Sequence, residues 1–216
     1  MTSGHFVMKL ALLALSLPAG FVGGLVVRRE TGGTRQQAIA TTAGCVVLEI
    51  WGLLTSQPLQ ILPITFFLGW GLLVLAIIDG LVLRLPDILT LPLIAIGLLI
   101  SIFLPERPLF AHVVGAAMGF AVLYVISLAY RRARGREGLG LGDAKLAAAA
   151  GAWLGWQALP SVILIAAAAG IVWFGLAFAR RGRAALSEQI PFGVPLCFAI
   201  WLVWLYGVPT VIGPIA

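Results

Sequence analysis

Apolar residues run along this chain in long blocks separated by short polar punctuation. A helix needs about 20 apolar residues to cross a hydrocarbon layer. By that measure the blocks predict spans near 8–27, 38–56, 59–78, 88–104, 109–130, 144–157, 160–179 and 191–212. The sixth is short. Its end is expected between Gln157 and Pro160, because the residue before a proline is pushed out of the helical region. The pattern therefore predicts an all-α, polytopic membrane protein of about eight transmembrane helices with short loops. No loop is long enough for a soluble domain, so any chemistry must occur in or at the bilayer. No low-complexity segment or internal repeat interrupts the pattern.

Composition agrees. The chain has 216 residues, of which 61% are hydrophobic and 10% charged, where a soluble domain carries about 25% charged residues. Mean hydropathy is +1.08. The apolar stretch at Phe21–Val27 is followed by further membrane sequence. It thus lacks the polar continuation expected after a cleaved signal peptide.

Charge adds orientation. A net charge of +6 would suit nucleic acid, but the basic residues lie in short loops between the predicted spans, so no nucleic-acid partner is expected. Loops 28–37, 79–87, 131–145 and 180–189 hold Arg28, Arg29, Arg35, Arg84, Arg131, Arg132, Arg134, Arg136, Lys145, Arg180, Arg181 and Arg183. The opposite side holds only Lys9 and Arg107. Twelve against two places the four basic loops in the cytoplasm and both termini outside it.

The remaining polar residues offer little metal chemistry. Cys45 and Cys197 stand alone in apolar segments without C-x-x-C spacing and read as small packing residues. His5 and His112 lack the spacing of a metal site. The seven tryptophans read as interface belt or packing residues.

Eight acids remain. Glu30, Glu106, Glu137 and Glu188 lie in loops beside arginines and read as solvated charges. Asp79 ends the apolar run Leu72–Ile78, and Asp143 begins the run Ala144–Gly155. Both are expected at the membrane edge on the cytoplasmic side. An ionisable group at that depth is costly and points to function. Two carboxyls held together cannot both ionise and share one proton. One can then activate water while the other polarises a carbonyl. The competing reading is structural: Asp143 caps a helix start, where a carboxylate accepts backbone N–H bonds.

Local sequence favours chemistry. Gly140-Leu141-Gly142-Asp143 sits within Gly138–Leu146, running into Gly151-Ala152-Trp153-Leu154-Gly155-Trp156-Gln157-Ala158-Leu159-Pro160. Glycines there allow close approach of another segment. A second block runs from Ile78-Asp79 through Leu85-Pro86-Asp87 to Pro92, and a third is Ile190-Pro191-Phe192-Gly193.

On these three blocks the chain resembles the type IV prepilin peptidase family, membrane aspartyl proteases of the GxGD type, over roughly residues 45–207. The resemblance implies a catalytic pair at Asp79 and Asp143. Asp87, Gly140, Gly142, Lys145, Pro191, Phe192 and Gly193 are supporting motif residues. It implies a multi-pass protein of the bacterial cytoplasmic membrane that cuts leader peptides from prepilins or pseudopilins on the cytoplasmic side. The substrate would carry a hydrophobic N-terminal helix, and proteolysis would need no cofactor. Lys145 and the Arg131–Arg136 cluster would act as topology anchors, or meet acidic lipid or substrate charge.

The first loop departs from the family pattern. Many members carry two C-x-x-C pairs there that bind zinc, linked to N-methylation by S-adenosylmethionine. Arg28–Gln37 has about ten residues and no cysteine, so zinc is not expected and little chain is left to hold a nucleoside cofactor. Glu49 resembles the acidic position opening the second span of longer relatives. Two parts follow: 1–56, two helices with the shortened loop, and 57–216, a six-helix catalytic core. A proton- or ion-coupled transporter, or a catalytically silent secretion assembly factor, are the alternatives. Substrate identity and oligomeric state are not encoded in any motif.

Overall fold

The computed structural model describes residues 14, 16–55, 58–104, 107–135, 140–182 and 191–208. His5, Lys9, Glu106, Arg136, Glu137, Arg183, Glu188 and Ile190 lie outside the described residues. Eight α-helices follow one another among those described. They are α1 Ser16–Thr31, α2 Arg35–Leu54, α3 Leu62–Val82, α4 Asp87–Phe103, α5 Leu109–Arg134, α6 Leu141–Leu154, α7 Leu159–Arg181 and α8 Gly193–Tyr206. A single 3-10 turn, Trp156–Ala158, joins α6 to α7. No strand occurs among the described residues.

Four stretches are long and apolar enough to cross a membrane: Arg35–Leu54, Leu62–Val82, Leu109–Ala133 and Trp156–Arg181. Asp87–Phe103 and Gly193–Tyr206 are shorter apolar helices. Each predicted segment overlaps one helix, but the ends differ. The sixth segment was expected to run to Gln157–Pro160; α6 stops at Leu154, where Gly155 turns to a positive φ of 81°. Pro160 instead lies in the first turn of α7, where its missing N–H costs nothing.

Packing divides the chain into two compact units, Met1–Val82 and Leu83–Ala216. In the first unit α3 packs on α1 and α2. Within the first unit small residues let the helices approach. A Cβ at Gly20 would stand 2.6 Å from the Cα of Thr42, and one at Gly24 would stand 2.9 Å from the Cα of Ala38. Apolar side chains gain nothing by leaving lipid, so such close backbone contact supplies the packing energy between membrane helices.

The second unit is built around α6, which packs against α4, α5, α7 and α8. Ala147, Ala148, Ala149 and Ala150 are all buried. Gly115 and Gly119 of α5 lie directly on the backbone of Gly151 and Ala147. Trp153, near the helix end, fits against Gly97 of α4 and donates its indole N–H to the Leu93 carbonyl at 2.8 Å.

The last carbonyls of a helix have no partner within it. Here two side chains supply partners. His112 Nδ1 donates to the Ala152 carbonyl at 2.9 Å, and Arg107 Nη1 donates to the Trp153 carbonyl at 3.1 Å. A cation at that end also suits the helix dipole. This explains how a helix of 14 residues can end firmly inside the unit.

Candidate active site

The first turn of α6 is shaped by its own acid. The Gly140 N–H donates to Asp143 Oδ2 at 3.2 Å, while the Asp143 N–H donates to the Gly140 carbonyl at 3.2 Å. Asp143 is thus the third helical residue reaching back to the N-cap, half of a capping box. Glycine has no side chain to complete the other half. Asp143 is only 9% exposed and is followed by fully buried Ala144. The capping geometry foreseen as the structural alternative is present, and it fixes the carboxylate rather than leaving it in solvent.

Gly142 is needed for what lies beside it. A Cβ there would stand 2.8 Å from the Cβ of Leu85, so a larger residue would push away the segment entering α4. Three residues after Gly142, Lys145 forms an ion pair with Asp87, Nζ to Oδ1 at 2.5 Å. Asp87 is the first residue of α4, behind Pro86 as N-cap. The second and first sequence blocks therefore meet within this unit. Lys145 places its charge on Asp87, a contact not foreseen among the lipid, substrate and anchor roles considered from sequence. Its side chain is 26% exposed and that of Asp87 58%. A pair so wet contributes less than about 1 kcal/mol to stability.

Asp79 belongs to the first unit. It was expected where the apolar run ends, but it lies inside α3, which continues through Val82. The helix stops only where Leu83 takes a left-handed backbone, φ 54°, a conformation costly for a branched side chain. Asp79 is 5% exposed, and Leu75 and Ile78 beside it are buried. Glu49 is also in this unit, fully buried on α2 one turn beyond buried Cys45.

The third block opens α8. Gly193 is buried as its first residue, after half-buried Pro191 and Phe192, and α8 packs on α6 and α7. Cys45 and Cys197 are buried free thiols. Among the described residues no group of three or more His, Cys, Asp or Glu side chains converges as a metal site. Sequence reasoning missed Arg107 and His112. Their partners are backbone carbonyls, which leave no mark in residue spacing.

Long apolar helices, two of which (α2 and α3) carry the buried acids Glu49 and Asp79, with Asp143 buried on the shorter α6, define a helical membrane protein. The chain belongs to the type IV leader peptidase family, whose profile matches residues 66–175. That match includes Asp79, Asp87, Asp143 and Lys145. The chain is 44% identical over 140 residues to a prepilin leader peptidase/N-methyltransferase of Aeromonas salmonicida, covering 65% of this chain and 48% of that protein. A protein of the same name from Burkholderia pseudomallei is 47% identical over 128 residues, 59% of this chain and 41% of the relative. One from Pseudomonas aeruginosa is 39% identical over 140 residues, 65% and 48% of the two chains. The chain spans about half the length of these curated relatives. No solved structure matches it.

Proposed function

We propose that this chain is a membrane-embedded aspartic endopeptidase that removes leader peptides from type IV prepilins or pseudopilins, with Asp79 and Asp143 as its catalytic pair. The observation that carries the proposal is the burial of both aspartates, 5% and 9% exposed as residues, within the segment matching the family profile. Ionisable groups at such depth are expensive and retained for function.

The division of labour follows from helix position. Asp143 sits in the first turn of α6, where backbone N–H groups and the dipole welcome a negative charge. Asp79 lies in the last turn of α3, where the dipole opposes one. Asp143 then acts as the carboxylate that takes a proton from water, and Asp79 as the acid that gives its proton to the scissile carbonyl oxygen. Water oxygen bonds to the carbonyl carbon. Collapse of the tetrahedral species breaks the C–N bond: the proton on Asp143 passes to the departing amine, and one hydroxyl proton of the diol carbon returns to Asp79, which restores both acids. The products are one carboxylic acid and one amine, with no oxidant or metal required. Gly142 and the Asp87–Lys145 pair hold the loop before α4 in place beside Asp143.

Eight spans are the reading that the eight helices support, with the four basic loops cytoplasmic and both termini outside. The ends carrying Asp79 and Asp143 then face the cytoplasm of a bacterial inner membrane. Only Gly32–Thr34 separate α1 from α2. This loop favours proteolysis without zinc, and without methyl transfer from S-adenosylmethionine.

Glu49, buried within α2, is the observation that favours a second reading, a proton- or ion-coupled transporter. Coexpression with a candidate prepilin and mass spectrometry of the product's amino terminus separates the two, and reports methylation as well. Unprocessed substrate beside measurable ion flux in proteoliposomes would reject the peptidase in favour of the transporter.

A further inference from the structure

The helices of the second unit differ in length, and the proposed chemistry gives no reason for it. α5 has 26 residues and α7 has 23, about 39 and 35 Å at 1.5 Å per residue. α6 and α8 have 14 each, about 21 Å, short of the roughly 30 Å of a hydrocarbon layer. At one end the helices are nearly flush. Arg107, just before α5, and His112, in its first turn, bond the last carbonyls of α6. The Arg107 guanidinium also lies 4.4 Å over the ring of Trp204, near the end of α8. The shortfall therefore gathers at the other end, where α6 and α8 begin.

Close backbone contacts fix the depth of that end. Gly115 lies on Gly151 and Gly119 on Ala147, so α5 and α6 run antiparallel, and four residues further Leu123 comes level with Asp143. Leu123 is buried, and no described residue after it in α5 is. α7 repeats the pattern. Its last buried residue is Ala166, a Cβ at Gly170 would stand 4.0 Å from Pro195 in the first turn of α8, and the helix runs on to Arg181. At the end of α5, Tyr130 and Arg131 mark headgroup depth. Arg131 stands eight residues beyond Leu123, so Asp143 lies about 12 Å inside that boundary.

Charge at that level is a second, independent observation. Lys145 and Asp87 pair there, with side chains 26% and 58% exposed. An exposed carboxylate at hydrocarbon depth is too costly to face lipid and must face water.

We infer that α6 and α8 stop short to leave a water-filled recess in one half of the bilayer, and that the peptide bond to be cut reaches Asp143 as an extended segment let down into it. The walls are the C-terminal stretches of α5 and α7. The floor is the first turns of α6 and α8, with the Asp87–Lys145 pair beside Asp143. From headgroup depth the descent takes about four extended residues of roughly 3.4 Å each, so the segment that is cut is unwound. The peptide's entry rests on the proposed peptidase, and the cytoplasmic opening on the proposed orientation. The water depends on neither.

The test is the rate at which a charged, membrane-impermeant thiol reagent modifies single introduced cysteines in the full chain, in inverted inner-membrane vesicles. Wild type is the blank, since Cys45 and Cys197 are buried. Ser127 continues the line Gly115, Gly119, Leu123 over the start of α6, while Val125 is exposed on the opposite face at nearly the same depth. Ser127→Cys should react at least roughly tenfold faster than Val125→Cys, because a thiol in apolar surroundings does not reach its reactive thiolate. Leu141→Cys, at an exposed position on the floor, should match Ser127→Cys and carries the test if the serine site does not tolerate change. Rates equal to that of Val125→Cys overturn the recess, whether all are fast, with the whole level in bulk water, or all slow, with protein or lipid filling the space. Fast reaction confined to right-side-out vesicles supports the recess and overturns its cytoplasmic opening. An added prepilin should slow both reactive positions severalfold, and unchanged rates overturn the peptide's route.

Discussion

Asp79 and Asp143 are both buried, yet the chain delivers them by opposite means. Asp79 rides on a long apolar helix, three residues from its end, among leucine and isoleucine side chains. Asp143 opens a short alanine-rich helix and is tied to the Gly140 N–H in its own first turn. A carboxyl placed by side-chain packing can shift as its neighbours adjust. One placed by backbone hydrogen bonding moves only when its helix moves. The bond from Gly140 pre-positions Asp143 within its own turn.

The largest expected effect breaks the pair itself. Asp79→Asn and Asp143→Asn should each lower prepilin cleavage in membranes by roughly 10²–10⁴-fold, the usual weight of a lost acid or base. The amide oxygen at 143 can still accept from Gly140, so the folded protein should survive. Cleavage at wild-type level by either variant would remove that residue from the mechanism.

The next test asks whether Asp143 is held more rigidly. A Cβ at Gly119 would run into the Ala147 carbonyl, which is backbone and cannot give way. In the first unit a Cβ at Gly23 would meet side-chain atoms, the Cγ2 of Val74 at 2.9 Å and the Cγ2 of Thr41 at 3.5 Å. Gly119→Ala should therefore cost about 1–3 kcal/mol, by overpacking, in unfolding experiments in detergent. Gly23→Ala should cost distinctly less, because a valine can change rotamer. Equal losses in thermal midpoint would erase the distinction drawn between the two settings.

Much of this architecture was legible in the residue order. Apolar length alone announces helices, and every predicted segment overlaps one, four of them long and apolar enough to cross a membrane. Ends were less legible, because a helix stops where its backbone turns. Neither Leu83 with its positive φ nor Gly155, two residues before the expected break, interrupts hydropathy. The motif acids could be named because their neighbours are distinctive. The Lys145–Asp87 pair could not, since the two residues lie 58 apart in sequence and only the packing of α4 on α6 joins them. The carbonyl caps from Arg107 and His112 were hidden for the same reason.

A smaller effect separates the two duties of Asp143. Asp143→Ala removes the acceptor for the Gly140 N–H and should cost about 1 kcal/mol, the typical value of a helix cap. Asp143→Asn keeps an acceptor and should keep most of that stability while losing cleavage. If alanine and asparagine melt together, the carboxylate contributes nothing to the helix start and its burial must be explained by chemistry alone.

The smallest expected change concerns Lys145, whose ion pair with Asp87 lies in this neighbourhood. Both partners see solvent, so Lys145→Met should shift stability by less than about 1 kcal/mol. Its methylene stem packs much as the lysine stem does, so the helix itself should not move. If the pair registers the loop before α4 against Asp143, cleavage should still fall, and raising salt should lower wild-type activity toward the variant's, because exposed charges are screened within about 10 Å at 0.1 M salt. A topology anchor would leave cleavage per folded molecule unchanged and salt without effect. The difference between those two outcomes shows whether Asp143 is placed by its own turn alone or also by the loop that leans on Gly142.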